Sequence, residues 1–186
     1  MDTNEATTNN WILVVLIILL LSLSSCSRYD GTSTMILEDL GIRYELVEAL
    51  DNNAIGYYDF ETDMIKVKRG KQAVYIVLHE VIHKLRKDAK VYSDPYLEEV
   101  IACKAAYKIG KLAGIQIGVN KFTLPMWINS SLKANRMEIK KLSPGQKEIV
   151  DKGVEVSVQL MVERLKKSGK SMTDIDYVKT GLLLLL

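Results

Sequence analysis

Histidine is nearly missing from this chain: its 186 residues contain two, and both fall within one five-residue stretch, His79-Glu80-Val81-Ile82-His83. Cysteine is as scarce, and Cys26 with Cys103 cannot make a disulfide framework. Charge is close to balanced, with 25 Lys and Arg against 23 Asp and Glu. A net charge of +2 and the lack of a basic patch interleaved with aromatics argue against nucleic acid as a partner. The chain has no internal repeats, no phosphate-binding glycine loop and no Ser/His/Asp set that would compete with a metal site. Positive charge is also missing at the start: residues 1–10 carry Asp2 and Glu5 but no Lys or Arg, whereas export signals normally begin positively charged.

What is present centres on residues 74 to 85. Ile76, Val77, Leu78, Val81, Ile82 and Leu85 surround the two histidines and predict a largely buried helix. At about 100° per residue, His79 and His83 lie about 40° apart on one face, one turn from each other. Both imidazoles then reach a single metal ion, with Glu80 beside them. H-E-x-x-H on a helix is the pattern in which two neutral nitrogens bind Zn²⁺ and the carboxylate takes a proton from water. Chance occurrence is the competing reading. It is opposed by the cost of burying unpaired imidazoles and a carboxylate on so apolar a helix.

Catalytic zinc usually has three protein ligands, and no histidine remains to be the third. Glu99 is the candidate, sixteen residues after His83 at the start of a second helical pattern. Ala102 and Ala106 follow it at +3 and +7, a small-residue stripe that permits close approach to the first helix. Glu98 loses that stripe and is the poorer candidate; both glutamates could instead simply stabilise a helix N-terminus. Tyr57, Tyr58, Tyr92 and Tyr96 stand where a donor to an oxyanion would be needed, Tyr92 and Tyr96 on or beside the loop joining the two ligand helices. Each is otherwise a half-buried packing tyrosine.

An H-E-x-x-H helix followed by an E-x-x-A helix resembles the gluzincins, zinc metallopeptidases with a carboxylate third ligand. With a strand pair just before the motif, the chain looks most like the compact ImmA/IrrE-like peptidases of bacteria and phages, over about residues 42 to 113. The resemblance implies His79, His83 and Glu99 as zinc ligands and Glu80 as general base, acting on a peptide or protein substrate. The chain departs from the family's pattern at Ile82, where a small residue is frequent, at the charged Lys84, and at Cys103, where Asp or Asn is common. In zincins the strand edge beside the metal helix is where an extended peptide pairs. Two other readings stay open. One is a zincin-fold protein that binds a partner or senses metal without cleaving. The other is an envelope-tethered, phage-encoded structural protein in which the motif is accidental.

Ahead of this domain, Trp11 to Leu23 runs almost unbroken as apolar residues and ends in Leu23-Ser24-Ser25-Cys26. Thirteen to fifteen apolar residues are short against the roughly 20 of a spanning helix and match a signal-peptide core. Leu-Ser-Ser-Cys resembles a bacterial lipobox, which implies lipidation of Cys26 and export. Arg28 would instead favour an uncleaved anchor with the domain left in the cytoplasm. Membrane attachment through this segment is expected either way, with the lipid-anchored form favoured.

The expected organisation is residues 1–32 as anchor or lipoprotein signal plus linker, and 33–186 as a zincin-like α+β domain. Its parts are a small antiparallel sheet packed on the H-E-x-x-H helix, a second ligand helix, and a helical C-terminal part. Met35–Leu40 reads as a short helical turn stopped by Gly41, and Ile42–Leu46 as a strand. Ala54–Phe60 and Met64–Lys68 read as a hairpin. Residues 115–141 are the least readable; Phe122, Leu124, Met126 and Trp127 are expected to cover the core or line a cleft. A last helix should start at Ser143 with Pro144 and Gln146, bury Ile149, Val150, Val154, Leu160, Met161 and Leu165, and end near Lys167. The leucines 182–186 are too few to span a bilayer.

Overall fold

The computed structural model describes residues 34–50, 54–69, 74–115 and 117–170. The apolar run 11–23, Cys26, the linker and the leucines 182–186 lie outside the described residues. Among the described residues, no helix is long and apolar enough to cross a membrane.

A short helix α1 (residues 34–39) ends at Gly41, whose φ of +60° is a backbone state that glycine adopts without strain. Strand β1 (Tyr44–Val47) follows, then β2 (Gly56–Asp59) and β3 (Met64–Lys68). Strands β2 and β3 form the expected hairpin, with Tyr58 opposite Ile65. The expected antiparallel sheet is corrected to a mixed one: β1 pairs parallel to β3, in the order β1-β3-β2. Parallel pairing needs a crossover rather than a tight turn, and β2 itself fills the space between β1 and β3 in sequence. Alternation sets the sheet's faces. Ile65 and Val67 are buried, while Arg43 and Glu45 face outward.

Four helices complete the α+β domain: α2 (Val74–Asp88), α3 (Pro95–Leu112), α4 (Leu124–Ala134) and α5 (Pro144–Lys167). Asp94 caps α3 by accepting from the Tyr96 and Leu97 amides, and Pro95 stands in the first turn, where no amide hydrogen is needed. The Ser143–Gln146 capping box starts α5 as expected. Ala102, Ala105 and Ala106 are fully buried between the helices. Gly153 brings α5 close to α3: a Cβ there would lie 2.5 Å from Ile101 Cδ1. The far end of α5 is tied to α1 and the turn after it, where Arg164 donates to the carbonyls of Leu40 at 2.7 Å and Gly41 at 3.2 Å.

Two expected positions, Ile149 and Met126, are corrected. Ile149 is 48 % exposed, because Val150 and Val154 are the residues of that face turned inward. Met126 is also exposed, while Leu124 and Trp127 pack partly buried on the core and Phe122, exposed, lines a groove. Helix α4 begins at Leu124, and its period turns Trp127 inward and Met126 out.

Candidate metal centre

Helix α2 is the reason the two imidazoles meet. The four-residue spacing stacks His79 over His83 on its buried face, with Nε2 of one 3.0 Å from Nε2 of the other. Helix α3 packs on α2 and delivers Glu99. Its Oε2 lies 3.3 Å from His79 Nε2 and its Oε1 lies 3.3 Å from His83 Nε2. His79, His83 and Glu99 thus form a group that could hold a metal ion, their ligand atoms all within 4.8 Å of one another.

The donor set fits a cation for two reasons. Ligand atoms on a tetrahedron with bonds of about 2.1 Å are spaced by about 3.4 Å, close to the 3.0 and 3.3 Å seen here. The second reason is electrostatic. Two imidazole nitrogens and a carboxylate converging in a buried site need positive charge between them, whether from protons or from a metal. Burial disfavours charge on His79, yet Cys103, Glu99 and Glu80 outweigh it and lift its pKa well above the ordinary 6.5. Burial likewise raises Glu99, but its contacts with His79 and His83 prevail and hold the carboxyl well below the usual range.

Glu80 sits beside this group and is buried. Its Oε2 accepts the Tyr58 amide hydrogen at 2.8 Å, which anchors the side chain to the free edge of β2. Burial raises its pKa, against the pull of the two histidines. A carboxylate with a raised pKa is a stronger base than an ordinary glutamate, which favours uptake of a proton.

Neighbours that the sequence did not single out complete the site. Ser131, on α4, donates to Glu99 Oε2 at 2.5 Å. Cys103, notable in the sequence only as a departure from the family's pattern, places Sγ 3.5 Å from His79 Nδ1. His83 Nδ1 is buried with no hydrogen-bond partner among the described residues. The largest surprise is Arg86, 2 % exposed, which binds the fully buried Glu98 through Nε at 2.5 Å and Nη2 at 3.1 Å. Arg86 also donates to Val91 O, Gly153 O, Ser93 Oγ and Ser157 Oγ. It therefore ties α2, α3, α5 and the loop before α3 together one turn beyond His83. Glu98 is a buried ion-pair partner, not an ordinary acidic residue at a helix start. A signal for this existed: Arg86 follows His79 by seven residues, on the same helix face.

The tyrosine candidates separate by placement. Tyr92 is 42 % exposed, and its ring centre lies 6.4 Å from that of His83. Burial, then the nearby Glu98 and Glu99, push its pKa up to about 12, so it keeps its proton. The Tyr96 hydroxyl is taken up by the Lys140 backbone, donating to O at 2.8 Å and accepting from N at 3.0 Å. The Tyr58 hydroxyl donates to Asp63. Tyr57 is exposed on β2.

No family model matches the chain, and no curated protein or solved structure matches it either.

Proposed function

We propose that the chain is a zinc-dependent metallopeptidase of gluzincin type, attached to a membrane through residues 11–26. The observation that carries this reading is the convergence of His79, His83 and Glu99 with a buried, backbone-anchored Glu80 beside them. Two imidazoles and one carboxylate are a donor set used by catalytic zinc in peptidases. Bound there, Zn²⁺ would supply Lewis acidity, making water a usable nucleophile near neutral pH and polarising a carbonyl.

The chain's own residues do the rest in this reading. Glu80 accepts a proton from the attacking water and delivers it to the departing amine. Its Oε2 is engaged by the Tyr58 amide, which leaves Oε1 for that proton. An extended peptide laid beside β2 runs past Glu80, with main-chain hydrogen bonds other than the Tyr58 amide, which Glu80 already holds, setting its register. Tyr92, protonated and partly exposed near His83, is the candidate donor to the developing oxyanion. Cys103 and Ser131 hold His79 and Glu99 in place from behind.

The test is Glu80→Gln in the full chain. It should bind zinc as the parent does, melt at the same temperature and lose hydrolysis of an unstructured protein substrate by about 100-fold or more. Unchanged hydrolysis would remove Glu80 from the mechanism. Zinc binding with no hydrolysis in the parent either would favour a metal-sensing or partner-binding role.

A further inference from the structure

Away from the metal centre, an open groove of about 980 Å³ lies between the end of α3 and the segment leading into α4. Its lining includes Tyr107, Lys111, Ile117, Val119, Lys121 and Phe122. The aliphatic members form a buried floor, while Phe122 stands 80 % exposed at the rim. Lys121 Nζ sits 4.9 Å from the Phe122 ring centre, and Lys111 Nζ lies 5.9 Å from that of Tyr107. Among the described residues neither lysine pairs with a carboxylate.

The surrounding sequence has one sign of charge. From Val100 to Met137 there is no Asp or Glu, but there are six cations: Lys104, Lys108, Lys111, Lys121, Lys133 and Arg136. Lys104 and Lys108 are neutralised by Asp151 and Glu155 on α5. Of the four that remain, Lys111 and Lys121 line the groove together with its apolar floor.

We propose that this groove is where the domain lies down on an anionic bilayer surface. An exposed aromatic beside a lysine, in the turn ahead of α4, suits the boundary between headgroups and acyl chains. There the ring enters and the ammonium stays with the phosphates. The two cations call for an anionic partner, and a headgroup array meets both at once. A single weak membrane signal holds only reversibly, and two together hold stably; this surface is the second signal beside residues 11–23. The inference rests on membrane attachment by that segment and is independent of the zinc chemistry.

The experiment uses the full chain carrying F122W and reads the tryptophan emission added over the parent. Vesicles contain brominated phosphatidylcholine alone or with phosphatidylglycerol. The expected result is quenching at position 122 that depends on phosphatidylglycerol. Removing charge with K111Q/K121Q should raise the lipid concentration needed for half-maximal quenching by about fivefold per lysine. An I149W control on α5 should stay unquenched. A vesicle-bound chain with position 122 unquenched, or quenched equally without phosphatidylglycerol, overturns the proposal while sparing the N-terminal anchor. A blue-shifted, concentration-dependent emission without lipid overturns it in favour of a second copy covering the groove. A chain that binds neither vesicle removes both the groove and the anchor.

Discussion

Glu98 and Glu99 are neighbours in sequence, and substituting each in turn separates fold from function. Glu98 is fully buried against Arg86. Glu98→Ala leaves the guanidinium with only neutral acceptors, the carbonyls of Val91 and Gly153 and the hydroxyls of Ser93 and Ser157. Breaking a buried pair this way costs about 3–5 kcal/mol, from a total that for most domains is about 5–15 kcal/mol. Glu99→Ala should cost much less in a chelator, about 1–2 kcal/mol, because His79 can then become neutral. Zinc at 100 times its Kd should add about 2.7 kcal/mol to the parent and close to nothing to Glu99→Ala. The assay is urea unfolding followed by far-UV circular dichroism, first in EDTA and then in zinc. Arg86→Met combined with Glu98→Leu should recover most of the loss, since apolar replacement of a buried pair is often neutral or better. Equal losses for Glu98→Ala and Glu99→Ala in EDTA, or full zinc rescue of Glu99→Ala, would refute the division of labour.

Zinc affinity should fall on acidification, because the metal must displace a proton from His79, whose pKa is raised. The loss should therefore begin above pH 6.5, the ordinary imidazole value; competition against a chromophoric chelator between about pH 8 and 6 checks this, and a flat profile contradicts it. Cys103→Ala should weaken zinc binding by about tenfold while leaving the apo-protein's melting temperature near the parent's, and Cys103→Asp should restore the affinity. If Cys103→Ala binds as tightly as the parent, the thiol is only filler. Gly153→Leu should destabilise the domain by about 1–3 kcal/mol, because α5 would have to lift from Ile101; an unchanged urea midpoint would show that the helices have slack.

The candidate metal-binding group was legible because its signal is local. A four-residue spacing on an apolar helix fixes His79 and His83 without knowledge of the fold, and the alanine stripe placed Glu99 on the facing helix. The β2–β3 hairpin and the start of α5 were legible for the same reason, since turn and cap chemistry act over a few residues. What the sequence hid depends on distant contacts. The parallel pairing of β1 with β3 joins residues about twenty apart with a strand between them. Ser131 reaches Glu99 across 32 residues, and Arg86 reaches Gly153 across 67, from segments with no local signature. Residues 115–123 lack periodicity, so nothing in their order showed that Lys121 and Phe122 would join Lys111 and Tyr107 around one groove.

Because the chain's only imidazoles are the pair on α2, the protein carries its own spectroscopic reporter. Histidine ring resonances in nitrogen-15 NMR would arise from the centre alone, free of background from a tag-less sample. Their tautomer-sensitive shifts would record directly which ring nitrogen is engaged, and when. Occupancy could then be watched through the four ring nitrogens of two residues.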